Sequence, residues 1–141
     1  MKKEIIRYLV LALNVLALPV IVYAIVSFHP IDSFTIIGIA LILPTYVFLI
    51  IARVQLGRSF ALSAQAKELV TRGLYSKIRH PVYFFAQLFL LGVVIAARDL
   101  LWLGLWFVVL ILQVVRAGKE ERVLEQRFGA LYAEYRKSTW F

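Results

Sequence analysis

"VYFFAQLFLLGVVIAARDLLWLGLWFVVLILQVV", residues 82–115, is the stretch that decides the architecture. The run is too long for one membrane span and is interrupted only by Arg98-Asp99. Splitting it there leaves two segments of about 16 residues, each reaching roughly 24 Å as a helix, against a hydrocarbon core about 30 Å thick. Either the helices run beyond their apolar limits or the hairpin stops short of a full crossing.

The rest of the chain fits the same medium. Of 141 residues, 62% are hydrophobic and 17% charged, whereas a soluble domain has about half and about a quarter. Ile5–Phe28 is a first apolar segment, ended by the turn signal His29-Pro30-Ile31-Asp32-Ser33, and Phe34–Ala52 is a second. The first is too long, and too tightly followed by another, for a cleaved signal sequence. Pro19 and Pro44 fall inside these segments, where each removes a backbone donor and is expected to bend its helix. The expected fold is an all-α integral membrane protein of about four transmembrane helices plus a C-terminal amphipathic cytoplasmic helix. It forms one domain, 1–141, made of an N-terminal helical hairpin (1–56) and a second half (57–141). Four small spans leave much apolar surface, which suits a homodimer. The chain has no cysteine, so disulfides, thiolate metal sites and cysteine nucleophiles are excluded.

Of the sixteen lysines and arginines, Arg98 alone falls in a loop on the far side of these segments. The remainder precede the first segment, lie between the second and third, or follow the fourth. The positive-inside rule makes that face cytoplasmic, with both termini on it; a bacterial or archaeal inner membrane is the expected location. The net charge of +8 is thereby explained by topology, and nucleic acid is not needed as a partner.

Nearly all the polar chemistry lies in residues 53–81 and 116–141. In "RGLYSKIRHPVYFF", residues 72–85, Pro81 suits the first turn of a helix, where its missing N–H costs nothing. The residue before a proline is pushed out of helical geometry, so His80 is expected at the lip of the third span in extended conformation. The free N–H groups and positive end of the helix behind it suit a carboxylate or phosphate. An interfacial belt of Tyr75, Tyr83 and the basic residues accounts for the same stretch. In "RAGKEERVLEQRFGALYAEYRKSTWF", Arg116 and Glu120 share a helix face. That segment reads as the fourth span running on amphipathically and lying back over the cytoplasmic mouth. Glu121 projects elsewhere. Carboxylates at a membrane boundary need partners, and they can hold a cation. His29 and His80, the only histidines, are expected on opposite faces, so no metal site is expected.

Taken in order, these elements resemble the isoprenylcysteine carboxyl methyltransferase family, whose wider group includes membrane phospholipid N-methyltransferases. The pattern is a leader ending in Leu-Val, then Gly-x-Tyr, Arg-His-Pro-x-Tyr, a short hairpin, and Arg-x-x-x-Glu-Glu-x-x-Leu with Phe-Gly and two tyrosines downstream. It covers about residues 57–141. The resemblance implies an integral membrane methyltransferase that binds S-adenosylmethionine under its C-terminal segment, without a Rossmann domain. Carried over by position, Lys67, Glu68, Leu69, Val70, Tyr75, His80, Pro81, Val82, Tyr83 and Glu120 are implied to contact the cofactor, and Arg116 to lie near the methyl acceptor. Arg116 and Glu120 are the residues expected to matter most for catalysis.

Elementary chemistry is compatible with this. Methyl transfer needs alignment and exclusion of water more than an acid. Glu120 or Glu121 suits the cofactor's ammonium. Tyr75, Tyr83 or Tyr132 could face the sulfonium or stack on adenine, and Tyr132 is also a candidate to touch substrate. Arg116 could orient an acceptor carboxylate, or a phosphate. The expected partners are the bilayer and a lipophilic methyl acceptor, with carboxyl O-methylation of an isoprenylcysteine-like group first. Phospholipid amine N-methylation and methylation of a small lipophilic thiol are the alternatives within that class. An NADPH-dependent sterol-type reductase and a non-enzymatic membrane scaffold are alternatives outside it.

Overall fold

The computed structural model describes residues 16–56 and 69–140. Lys67, Glu68 and the first part of the Ile5–Phe28 segment lie outside the described residues. Within them, every regular element is a helix: α1 (Leu16–Phe28), α2 (Ser33–Leu56), a 3-10 turn at Gly73–Ser76, α3 (Pro81–Ala97), α4 (Leu100–Phe128) and α5 (Ala130–Ser138).

The breaks between helices have local causes. Asp32 caps α2, its Oδ1 accepting from the Thr35 N–H at 3.1 Å. The helix then continues through Pro44 to Leu56, with the Thr45 hydroxyl donating to the Leu41 carbonyl at 2.6 Å. The break between α3 and α4 falls at Arg98-Asp99. Arg98 takes the left-handed conformation, φ 52°, that usually falls to glycine at a helix end. Asp99 restarts the chain by accepting from the Leu101 N–H at 2.8 Å. The Arg98 guanidinium also pairs with the Asp32 carboxylate and lies over the Phe34 ring, so the α1–α2 and α3–α4 turns are tied at one end of the molecule.

Helices α2 and α3 approach closely because both present glycine. A Cβ on Gly38 would lie 2.6 Å from the Gly92 carbonyl oxygen, and one on Gly92 would lie 2.8 Å from Ile42 Cγ1. With Ala96 one turn beyond Gly92, this is the small-residue contact that lets apolar helices pack backbone to backbone without a hydrophobic driving force. Ile25 of α1 closes the cluster against Ile42 and Ala96. A second cluster, Ala52, Tyr75 and Val82, sits at the other end, where α2 meets the 3-10 turn and the start of α3.

By length and composition α2 and α4 can each cross a membrane, while α3 and the described part of α1 are shorter apolar helices. No residue of α4 is fully buried. Leu101, Leu105, Val108, Ile111, Leu112 and Val115 are all exposed along it, an apolar surface suited to association with a membrane. The 29 residues of α4 run far past the apolar limit at Val115, about 43 Å in all. The 17 residues of α3 give only about 25 Å.

The chain does not lie back at Arg116. It stays helical to Phe128 and turns at Gly129, φ 50°, a conformation that side-chain-bearing residues rarely adopt. The segment that folds back is therefore the nine-residue α5, which buries Tyr132 and Tyr135.

Candidate functional site

The site lies at the end opposite the Asp32–Arg98 pair, where the 3-10 turn, the start of α3, the polar end of α4 and α5 meet. Its floor is the N-terminus of α3. Pro81 occupies the first helical position and is buried, as is Val82. Val82 and Tyr83 are first-turn residues whose N–H groups have no partner inside the helix, and the first backbone bond runs from Phe84 to the His80 carbonyl at 3.0 Å. His80 has φ −124° and ψ 59°, and its side chain makes no cap. The proline behind it excludes helical geometry as expected. The residue is bent rather than fully extended, and its ring stacks on Tyr83 with centroids 5.6 Å apart.

Two adjacent glutamates on α4 serve two different groups. Glu120 Oε1 accepts from the Tyr83 hydroxyl at 2.5 Å and from Arg116 Nε at 3.1 Å. The Arg116 guanidinium also lies over the Tyr83 ring, 6.0 Å from its centroid. Glu121 Oε1 meets His80 Nε2 at 3.2 Å. It also lies 3.5 Å from Arg79 Nε, an ion pair without a directed hydrogen bond, since that buried nitrogen has no hydrogen-bond partner among the described residues. The i,i+4 pair Arg116–Glu120 would be worth only about 0.3–0.5 kcal/mol on an exposed helix. Tyr83 makes it more than that, because it ties the same carboxylate oxygen to α3.

Helix α5 forms the roof. The Tyr135 hydroxyl donates to the Tyr75 carbonyl at 2.6 Å, and the Trp140 N–H to the Lys77 carbonyl at 2.8 Å. Tyr132, 2% exposed, lies beside Tyr135 with ring centroids 6.2 Å apart, and its hydroxyl has no partner among the described residues. Burial raises the Tyr135 phenol to about 12, reinforced by Tyr132. Burial first, then Glu121, raises Tyr132. Tyr75 is raised by burial and then by Tyr135, Glu120 and Tyr83. All three stay protonated as donors at neutral pH.

The residues singled out in the sequence thus fall into distinct places. Tyr83, Arg116 and Glu120 form one group and His80 with Glu121 the other. Pro81 and Val82 lie beneath them and Tyr132 lies in the roof. Tyr75 is buried against Ala52 and Val82, where it supports the floor. Val70 packs on the same cluster, and Leu69 is half-buried just before it.

Several contributors were not singled out. Arg79, which pairs with Glu121, and Tyr135, which bonds the Tyr75 carbonyl, are two of them. Gln55 accepts from the Leu74 N–H at 2.8 Å, just where Gly73 takes φ 63° and a Cβ would collide with that side chain. Gln87 and Gln113 are uncharged and escape a search for charged interruptions. As lone amides in an apolar run, they were the signal available.

Residues 4–139 match a family described as a protein of unknown function, DUF1295. Comparison with curated proteins finds no significant match.

Proposed function

We propose, for a chain that belongs to the DUF1295 family, that this site is the cofactor and transfer site of an S-adenosylmethionine-dependent methyltransferase acting at the membrane on a lipophilic acceptor. One observation carries the reading. Glu120 and Glu121 take different partners at the start of α3, Tyr83 and His80, so two carboxylates stand beside a helix N-terminus whose cap residue makes no side-chain hydrogen bond. A zwitterionic amino-acid end asks for that combination.

The residues present fit the cofactor's parts. Glu121 or Glu120 would hold the ammonium, and the N–H groups of Val82 and Tyr83 the carboxylate. The His80 and Tyr83 faces suit a sulfonium. The unpartnered Tyr132 hydroxyl, buried under α5, is an orphan donor that a purine or ribose would satisfy. When bound, S-adenosylmethionine supplies an electrophilic methyl group and leaves as a neutral thioether. The chain's own work is to bind, align and exclude water, for which α5 is the cover. Arg116, fixed by Glu120 and Tyr83, would orient an acceptor anion. Carboxyl O-methylation of an isoprenylcysteine-like group is the preferred chemistry, with phospholipid N-methylation next. In this reading α1–α4 lie in the membrane with the site and both termini on the cytoplasmic face. The Tyr83 hydroxyl, a proton donor at the same spot, gives a nicotinamide-dependent reductase as the second reading.

The test is calorimetric titration of S-adenosylhomocysteine into the detergent-purified chain, with NADPH titrated in parallel. Saturable binding of the homocysteine, weakened about tenfold or more by Glu120→Ala and by His80→Ala, is expected. Binding of NADPH alone would replace this reading with the reductase. Binding of neither to a folded chain would end both.

A further inference from the structure

Two segments without an acidic residue come together when the roof is in place. One is residues 69–80, with Arg72 and Lys77 exposed on either side of the 3-10 turn. The other is residues 135–140, with Arg136 and Lys137 exposed at the end of α5. The Tyr135 hydroxyl and the Trp140 N–H join them, by donating to the carbonyls of Tyr75 and Lys77. None of the four basic side chains has an ion-pair partner among the described residues. Glu134, exposed on α5, is the nearest acid to the second segment along the chain. Docking of α5 therefore gathers like charge, and neither segment supplies a counter-charge.

The same closure fixes a large exposed aromatic. The Trp140 residue is 75% exposed although its backbone is tied to Lys77. Lys77 stands four residues before Pro81, the first residue of α3, so the tie is at most about 14 Å of chain from the mouth of that helix. That distance falls within the headgroup layer and the roughly 10 Å beyond it over which the potential of a charged bilayer acts. An indole with exposed lysines and arginines suits this level, the ring lying among headgroups and the basic side chains meeting their negative charge. Helix α4 is tied to α3 separately, by Gln87 Nε2 donating to Gln113 Oε1 at 2.8 Å and by the Tyr83–Glu120 bond. Release of α5 beyond Gly129 leaves those ties in place.

We propose that this patch is a latch for anionic membrane lipid: net-negative headgroups of the surrounding bilayer bind Arg72, Lys77, Arg136 and Lys137 around Trp140 and hold α5 closed over the site. A surface that binds the assembled patch more tightly than its separated halves shifts the roof towards closure, by that difference in affinity and no more. Bilayer charge thereby regulates access to the site. The inference deepens the methyltransferase reading by adding this regulation, and rests on it only for what the roof encloses.

Amide hydrogen exchange of the full chain in lipid nanodiscs tests this without any ligand. The Trp140 N–H is itself a donor of the latch, and the segment after Gly129 reports the roof. Discs of phosphatidylcholine are compared with discs in which a third of the lipid is phosphatidylglycerol. Protection of the segment is expected to rise about fivefold or more with the anionic lipid. Arg136→Gln with Lys137→Gln should remove the rise, and both side chains are exposed, so the fold is kept. Arg122→Gln, which removes an exposed charge on α4, should keep the rise. Inorganic phosphate added to the neutral discs should not reproduce it. Equal protection in both discs, a rise that survives the double variant, a rise lost with Arg122→Gln as well, or the same rise from free phosphate would each overturn the inference. S-Adenosylhomocysteine titrated into the same discs judges the methyltransferase reading separately. Its binding without a lipid effect removes only the latch. A lipid effect without its binding leaves the latch standing over a site of another chemistry.

Discussion

The Tyr135 hydroxyl donates to the Tyr75 backbone carbonyl at 2.6 Å, across 60 residues of chain. This buried bond fastens α5 to the 3-10 turn and so holds the roof over the α3 N-terminus. Tyr135→Phe removes the donor and leaves a buried carbonyl oxygen unpaired, at a cost of about 1–3 kcal/mol. Thermal unfolding in detergent should fall accordingly, and limited proteolysis should open the chain near Gly129. An unchanged melting temperature and protease pattern would show that α5 is held by other contacts.

The same roof predicts alkaline sensitivity. Tyr135 is raised from 10.0 to about 12, chiefly by burial, and Tyr132 and Tyr75 move in the same direction. A folded-state value above the unfolded one gives stability that is fully present below about pH 10 and is lost as pH rises towards the folded value. Tyrosinate absorbance from these residues should therefore appear late, together with loss of α5 docking. Ionisation of all seven tyrosines near pH 10 with the roof still closed would contradict the burial.

The α2–α3 contact separates two kinds of glycine. Gly38→Ala places a methyl 2.6 Å from the Gly92 carbonyl and 2.7 Å from Ala96 Cβ, and overpacking of that kind costs about 1–3 kcal/mol. Gly104→Ala meets nothing within 4 Å and should gain up to about 1 kcal/mol from helix propensity. Opposite shifts of the melting temperature are expected. Similar effects for both would mean that α2 and α3 do not meet at this register.

The divergence of the two glutamates is open to double-mutant cycles. Tyr83→Phe and Glu120→Gln share one hydrogen bond, so their effects on stability should be non-additive by about 0.5–3 kcal/mol. Tyr83→Phe combined with Glu121→Gln should couple more weakly, because the two residues share no hydrogen bond and meet only through the His80 ring. The reverse pattern would exchange the roles assigned to them.

The sequence alone determined the features that follow from neighbours along the chain. Apolar run length and composition gave the helices. Arg98-Asp99 marked the break between α3 and α4, because a charged pair inside an apolar run is where a chain turns. Pro81 marked the start of α3, and the Arg116–Glu120 spacing put both side chains on one face. What only the tertiary structure decided depends on how the helices are rotated and offset against one another. The assignment of Glu120 to Tyr83 and Glu121 to His80 spans 37 and 41 residues, and the Gln87–Gln113 pair spans 26. The Gly38–Gly92 approach belongs to the same class. Helical periodicity gives each residue a direction about its own axis. Which residue waits in that direction is fixed by backbone packing at small residues and by turns such as Gly129, whose consequences lie far away along the chain.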